Sequence, residues 1–188
     1  RLLSWMAGIG VLLVSCYKPG NTNKKIFHYN EYSGISSLDP AFAKSQATMW
    51  PAHQLFNTLV EIDDSLHLVA SLASHWEISE DRKTYTFHLR NDVFFHNDAA
   101  FADGIGKKLT AKDVEYSFNR IIDKQVASPG SWIFNRKVDS VQAFTAIDDS
   151  TFQLRLLRPY HPILGILSLQ YCSIVPTAAV ETYGADFR

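Results

Sequence analysis

The stretch from residue 76 to residue 89 constrains the fold more than any other part of the sequence. Over residues 84–89, polar and apolar side chains alternate in the order Thr84, Tyr85, Thr86, Phe87, His88, Leu89. A period of two is typical of a β-strand that buries one face and leaves the other in water. A shorter strand pattern occupies residues 76–78, and the polar residues 79–82 predict a turn between the two. The sequence therefore predicts an antiparallel hairpin packed on an apolar core.

A second pattern predicts an amphipathic helix that begins after Thr110. Thr110 and Asp113 have the spacing of a capping box, with Asp in place of the usual Glu or Gln. The apolar residues that follow fall on one face at helical spacing, namely Val114, Phe118, Ile121 and Ile122. We expect this helix to cover the core from its surface.

The remaining patterns alternate between strands and helices. Short strands are predicted at residues 26–29, 59–62, 66–69, 138–147 and 151–157. Helices are predicted at residues 163–169 and 177–183. A further helix is predicted from Trp50 and Pro51 to Asn57, with Leu55 and Phe56 on its inward face. Alternation without an internal repeat predicts a mixed α/β lobe.

The composition suits a packed lobe and excludes two functional classes. Of 188 residues, 46% are hydrophobic and 20% are charged, which is too apolar for a disordered chain. The 18 basic and 19 acidic residues give a net charge of −1, so the excess of positive charge that phosphate binding requires is missing. Nucleic acid is therefore not an expected partner. The two cysteines, Cys16 and Cys172, are too few for a disulfide scaffold.

The N-terminal residues resemble a lipoprotein leader. Residues 2–14 are uncharged, follow Arg1, and are fewer than the roughly 20 that a membrane-spanning helix needs. They end in Leu13, Val14, Ser15 and Cys16, which resemble a bacterial lipobox. The resemblance implies removal of a signal peptide at residues 1–15 and lipid attachment at Cys16. The alternative is an apolar helix with an unrelated cysteine.

Residues 16–25 follow this leader and are rich in Pro, Gly, Asn and Lys. They carry little apolar surface that could offset the entropy of ordering, so they are interpreted as a tether.

No reaction centre emerges from the chemistry-bearing residues. No two of the seven histidines stand at the i, i+4 spacing that places two metal ligands on one helical face. Residues 98–104 have the outline of a calcium loop, but their alanines and Phe101 cannot supply oxygens at alternate positions. Cys172 lies in the apolar context of a buried hydrophobe. The sequence predicts no catalytic residue, no metal site and no cofactor, and therefore no enzyme.

Residues 70–90 resemble the signature of the family 5 extracellular solute-binding proteins, which are the peptide-binding subunits of ABC importers. The likeness continues in order through residues 93–96 and 109–118. Shorter matches lie at residues 37–41, 55–60 and 174–176, so the resemblance covers residues 26–188. The departures are local: Arg82 and Asp92 stand where the family has glycines, and residues 97–108 lengthen a loop.

The resemblance implies the type II periplasmic-binding-protein fold, in which two lobes close around a solute. Residues 26–188 would supply a mixed-sheet lobe of that fold, and we expect the second lobe to be absent. The implied function is a lipid-anchored substrate-binding subunit that captures oligopeptides for an ABC permease and ATPase. Its expected location is the periplasmic side of the cell envelope, on either the inner or the outer membrane. Nickel complexes, haem and oligosaccharides are alternative cargoes, and an envelope hydrolase is a further alternative.

The resemblance also implies that a bound peptide pairs with the protein backbone as an added strand. The expected contacts lie before or near the Leu38-Asp39-Pro40 turn, at Tyr32, Ser33, Gly34, Ile35, Gln54, Asn57 and Trp132. Ordinary loop and helix packing is the alternative role for these residues. The aromatic residues of the signature are instead expected to fill the core, namely Trp76, Tyr85, Phe87, Phe95 and Phe118.

Overall fold

Four α-helices and six β-strands make up the fold, and the computed structural model describes residues 28–139 and 141–187. The helices are α1 (Gln46–Leu55), α2 (Ala111–Ile122), α3 (Ile163–Ile166) and α4 (Thr177–Tyr183). The strands are β1 (Val60–Ile62), β2 (Leu68–Ala70), β3 (Ala73–Ile78), β4 (Thr84–Leu89), β5 (Phe144–Ala146) and β6 (Thr151–Arg155). Single 3₁₀ turns occupy Pro40–Phe42, Pro129–Ile133, Gln170–Cys172 and Gly184–Phe187. The predicted signal peptide, the tether and Cys16 lie outside the described residues.

The predicted hairpin at residues 76–89 is confirmed as the antiparallel pair β3 and β4. Its register places Trp76 opposite Phe87. Tyr85, Phe87 and Leu89 are buried, while the residues between them are partly exposed. The sheet continues in the order β3, β4, β6, β5 with every neighbouring pair antiparallel. Strand β3 is therefore an edge strand.

The hairpin predicted near residue 60 is also confirmed, as a separate two-stranded sheet of β1 and β2. Strand β2 begins at Leu68, two residues later than predicted, because Leu66 belongs to the turn. Leu66 has a φ of 63°, which is left-handed backbone that a strand cannot contain. The side chain of Asp63 shapes the turn by accepting hydrogen bonds from the backbone N–H groups of Ser65 and His67, at 2.9 and 2.8 Å.

Helix α1 corrects the prediction that a helix starts at Trp50 and Pro51. It begins at Gln46 because Ser45 and Thr48 form a cap: the Ser45 N–H donates to the Thr48 Oγ1 at 3.2 Å. Pro51 consequently lies inside the helix, where it leaves one carbonyl without its usual donor.

The residues of α1 that are buried differ from those predicted. Thr48, Pro51 and Ala52 are the buried positions. Leu55 is 49% exposed and Phe56, which follows the helix, is only half-buried. The prediction that both are inward-facing helix residues is wrong. Leu55 shares the face of Pro51 and Ala52 but is the last residue of the helix and is exposed, and Phe56 lies beyond the helix.

Phe118 of α2 stands at the centre of the core. Its ring lies 5.4 Å from that of Phe134, 5.5 Å from that of Phe144 and 5.4 Å from that of Phe152, measured between centroids. Helix α2 thereby packs against the sheet through β5 and β6. Of the five aromatic residues predicted to fill the core, Tyr85, Phe87 and Phe118 are buried, and Trp76 and Phe95 pack half-buried against its margin.

Four other predicted elements are shorter than expected, one of them strand β6, which ends at Arg155 and not at residue 157. Strand β5 covers only Phe144–Ala146, and Val138 makes an isolated bridge with Leu156 instead of extending it. Helix α3 ends at Ile166, after which the chain turns. Of the predicted strand at residues 26–29, His28 and Tyr29 are irregular, and residues 26 and 27 lie outside the described part.

Residues from Glu31 onward form one compact unit. Within the two described stretches, no helix combines the length and the apolar character that crossing a membrane requires.

Candidate ligand-binding site

The segment predicted to contact a ligand, residues 32–35, is irregular and exposed. Tyr32 is fully exposed and Ile35 is 44% exposed. The Ser33 N–H donates to Glu31 Oε1 at 3.0 Å, and Gly34 adopts a φ of +72° that favours glycine. Among the residues that the structure describes, no backbone–backbone hydrogen bond reaches residues 32–38. Apart from the Ser33 N–H, the backbone of this segment has no hydrogen bond to the described backbone that would prevent it from pairing with another chain.

A buried ion pair fixes the end of this exposed segment. Asp39 caps the following 3₁₀ turn by accepting from the Ala41 N–H at 3.0 Å. Its two carboxylate oxygens also accept from Arg120 of α2, at 2.7 and 2.5 Å. The side chains of Asp39 and Arg120 are 0% and 10% exposed. Burial works against the charge of Arg120, but the hydrogen bonds and charge of Asp39 outweigh it and raise the pKa of the guanidinium.

Sequence reasoning did not find this ion pair. Its partners stand 81 positions apart, and only the Leu38-Asp39-Pro40 turn was singled out. The available signal was an arginine at the position of α2 next to the buried Ile121, since a charge beside a core position needs a partner.

The other predicted contact residues are dispersed. Gln54 is exposed on α1, and Trp132 is 48% exposed with the Lys137 ammonium 6.0 Å from its ring centroid. Asn57 donates from its side chain to Glu61 Oε1 at 3.2 Å, and its carbonyl accepts from the Ile174 N–H at 3.0 Å. Across residues 28–139 and 141–187, no hydrogen bond joins these three residues to residues 32–35. Their role in binding stays a prediction.

An apolar cleft of about 410 Å³ lies beside Asn57 and was not predicted from the sequence. Its walls include Phe56, Leu72, Phe94 and Ile174. Phe94 is 62% exposed, which is unusual for a large apolar side chain in a signature segment. The alternation in residues 93–96 is too short to tell a core position from a cleft wall, which is why the cleft was missed.

A short hydrogen bond stands at one side of this cleft. The Tyr183 hydroxyl donates to Asp98 Oδ1 at 2.6 Å. This bond, aided by the Ala100 N–H, lowers the pKa of Asp98, and the same bond together with burial raises the pKa of Tyr183. The bond ties the lengthened loop at residues 97–108 to helix α4.

The one described cysteine has no reactive character. Cys172 is fully buried, and its Sγ faces the Ile166 carbonyl at 3.8 Å. Burial strongly raises the pKa of its thiol. The interpretation of Cys172 as a buried hydrophobe is confirmed.

A cluster of metal-ligand types was also missed by the sequence analysis. His75, Glu77 and His88 offer ligand atoms that all lie within 4.8 Å of one another. The search for histidines at helical spacing could not find it, because the two histidines meet across strands β3 and β4. The predicted strand began at Trp76, one residue too late; in the observed register, His75 lies opposite His88.

Comparison with known proteins identifies the lobe. Residues 67–187 match the model of the bacterial extracellular solute-binding proteins, family 5. The chain belongs to this family. It is 31% identical over 181 residues to the dipeptide-binding protein of Escherichia coli, covering 92% of this chain and 34% of that one. It is 30% identical over 198 residues to the periplasmic oligopeptide-binding protein OppA of the same organism, covering 97% and 35%.

The fold of this family 5 chain agrees with a solved structure. The Helicobacter pylori periplasmic binding protein DppA in complex with the peptide STSA matches with a TM-score of 0.70 and 28% identity, over 82% of this chain and 32% of that one. The predicted fold class, a mixed α/β lobe of the type II periplasmic-binding-protein kind, is confirmed. The chain spans about a third of the length of the relatives that it matches.

Proposed function

We propose that this chain is part of a substrate-binding subunit that captures oligopeptides for an ABC permease and ATPase. It has no reaction of its own, acts on the periplasmic side of the cell envelope, and is held to the membrane by lipid on Cys16. Residues 1–15 are the signal peptide, residues 16–25 the tether, and residues 26–188 the N-terminal part of a two-lobed clamp. Family membership and the peptide-binding names of the relatives support this proposal.

The observation that carries the peptide assignment is the exposed backbone of residues 32–35, which makes no backbone–backbone hydrogen bond among the described residues and has only its Ser33 N–H taken, by the Glu31 side chain. A peptide that adds as a strand needs backbone donors and acceptors that no other element has taken. The segment also needs a fixed position, because mobility would add an entropic cost to binding. The buried pair of Asp39 and Arg120 holds the segment at its C-terminal end.

Peptide contacts from this lobe are assigned to Tyr32, Ser33, Gly34 and Ile35, with Gln54, Asn57 and Trp132 as outer contacts. Backbone pairing gives affinity that depends little on the side chains of the cargo. The binding of varied short peptides is therefore expected.

The test is calorimetric titration of the full-length protein with short peptides, comparing wild type with Gly34→Val. Among the described residues, neighbours in sequence aside, no atom lies within 4 Å of the position of a Cβ at Gly34, so the substitution disfavours the left-handed backbone without a clash there. We expect about tenfold weaker binding, the equivalent of one backbone hydrogen bond. Ser36→Val is the matched control, because Ser36 is exposed in the same segment.

Other cargoes and a hydrolase role give different results in the same experiments. A rise in melting temperature with haem, a nickel complex or an oligosaccharide, and none with peptides, would replace the peptide assignment. Cleavage of the added peptide, detected by mass spectrometry, would contradict a purely binding role. Equal peptide affinity of wild type and Gly34→Val would remove residues 32–35 from the site.

A further inference from the structure

Three side chains with metal-binding chemistry share the polar face of the edge hairpin. His75 and Glu77 lie two residues apart on β3 and therefore point to the same side of the sheet. His88 on β4 is the direct cross-strand partner of His75. The opposite face of β4 carries the buried Phe87 and Leu89, so the three polar side chains stand on the side away from the core.

The two imidazoles are held close together. Their rings stack with centroids 4.4 Å apart and an interplanar angle of 13°. His88 Nε2 lies 3.3 Å from Glu77 Oε1. Nevertheless this nitrogen is shielded from solvent and has no hydrogen-bond partner among the described residues, so the carboxylate is near it without a bonding geometry. A buried nitrogen without a partner is costly and needs an explanation.

A neighbouring serine selects the form of His75 that binds metals. The Ser74 hydroxyl donates to the His88 carbonyl at 2.9 Å. Its single proton is thereby used, so toward His75 Nδ1, at 3.0 Å, the oxygen acts as acceptor. His75 then carries its proton on Nδ1 and keeps the lone pair on Nε2. A metal-ligating histidine is usually oriented in this way by a hydrogen bond from its other nitrogen.

The donor set and the spacing suit a small transition-metal ion. Two imidazoles and a carboxylate are ligands of Zn²⁺, Cu²⁺ and Ni²⁺, whereas Mg²⁺ and Ca²⁺ prefer oxygen alone. Ligand atoms around tetrahedral Zn²⁺ stand roughly 3.3 Å apart. Glu77 Oε1 already lies 3.3 Å from His88 Nε2, so the wider separations, at most 4.8 Å, involve His75. An imidazole lone pair lies in the plane of its ring, so the exposed His75 ring must turn out of the stack to share an ion with His88.

We propose that His75, Glu77 and His88 form a binding site for a divalent transition metal of the Zn²⁺ class, with water completing its coordination. Such an ion would coordinate His88 Nε2, the nitrogen that has no hydrogen-bond partner among the described residues. It also bridges edge strand β3 to β4, and so stabilises the hairpin at the margin of the sheet. The site shares no residue with the segment 32–35 and does not depend on the proposed peptide function.

The test is titration of the full-length, chelator-stripped protein with zinc chloride, in a Cys16→Ser background, so that no unlipidated Cys16 thiol competes for the metal. We expect one zinc per chain and a rise in melting temperature, since binding to the folded state stabilises it. His75→Ala and Glu77→Gln should each weaken zinc binding about tenfold or more. Both residues are exposed, so the variants should fold, and circular dichroism is the check.

His67→Ala is the matched control. His67 is an exposed hairpin histidine with one carboxylate, Asp63, at 3.7 Å, but it has no second imidazole beside it. Its removal should leave zinc affinity unchanged, and magnesium chloride should give no shift. Zinc affinity that is equal in wild type and His75→Ala, or lost equally in His67→Ala, would overturn the proposal, as would the absence of zinc binding.

Discussion

Asp39 is a charged side chain that the fold removes from water completely. The cost of its burial is offset by two hydrogen bonds from Arg120 and by its capping of the turn at Ala41. One carboxylate therefore shapes the turn and joins the exposed N-terminal segment to helix α2.

We predict that Asp39→Ala lowers the free energy of unfolding by about 3–5 kcal/mol, because it leaves the charge of Arg120 buried without a partner. Urea denaturation followed by circular dichroism measures the loss. Residues 32–38 should also become more sensitive to proteolysis.

The control for this prediction is the exposed pair of Arg90 and Asp92, whose nitrogen and oxygen are 2.9 Å apart. The Asp92 side chain is 62% exposed, so Asp92→Ala should cost less than about 1 kcal/mol. An equal decrease in the free energy of unfolding in Asp39→Ala and Asp92→Ala would show that burial of the Asp39–Arg120 pair does not add to its contribution to stability.

At the scale of elements, Asp113 connects two helices. Its Oδ2 accepts from the backbone N–H and the hydroxyl of Thr110, at 3.0 and 2.8 Å, which confirms the predicted capping box. Its Oδ1 accepts from the Thr177 hydroxyl at 3.1 Å, at the start of α4. The shorter Asp side chain thus serves the N-terminus of α2 and docks α4 at the same time.

We predict that Asp113→Ala destabilises the protein by about 1–2 kcal/mol, through the loss of the cap and of the contact with α4. Thermal unfolding measures the change. Lys112→Ala is the control, because Lys112 is exposed on the same turn and its removal should change stability by less than about 0.5 kcal/mol. A larger effect at Lys112 than at Asp113 would contradict this account of the helix start.

At the scale of the whole molecule, the proposed anchor separates membrane attachment from folding. Residues 16–25 form a polar spacer in the sequence, whereas the residues from Glu31 onward carry their own core. Loss of the lipid should therefore release the protein without unfolding it.

We predict that Cys16→Ser moves the protein from the membrane fraction to the soluble fraction and abolishes its labelling by palmitate, because the apolar chains supply the attachment. Cys172→Ser is the control, since the buried thiol of Cys172 is not accessible to lipid-transferring enzymes. Unchanged fractionation and labelling in Cys16→Ser would show that Cys16 is not lipidated.

The fold was predictable where a local pattern contains enough information. The alternation at residues 84–89 identified strand β4 and its buried face, and Thr110 with Asp113 identified the start of α2. The start of α1 was missed because Pro51 was read as a first helical position. The cap formed by Ser45 with Thr48 starts the helix earlier, despite the preference of proline for the first helical position.

The candidate site was less predictable than the fold. Exposure of Tyr32 and Ile35 agrees with the irregular segment that the turn residues indicated. The apolar cleft beside Asn57 arises from segments distant in the chain, including Phe94 and Ile174, and no periodicity marks such a surface.

The amino-acid sequence alone determined the type of most strands and helices, the burial of Tyr85, Phe87 and Phe118, and the family of the chain. These depend on alternation, caps and an ordered motif, which are properties of neighbours along the chain. Tertiary structure decided which distant groups meet: Asp39 with Arg120, Asp113 with Thr177, and His75 with Glu77 and His88. The physical reason is that a charge or an imidazole acquires its chemistry from whatever packs beside it, and packing is set by the whole topology.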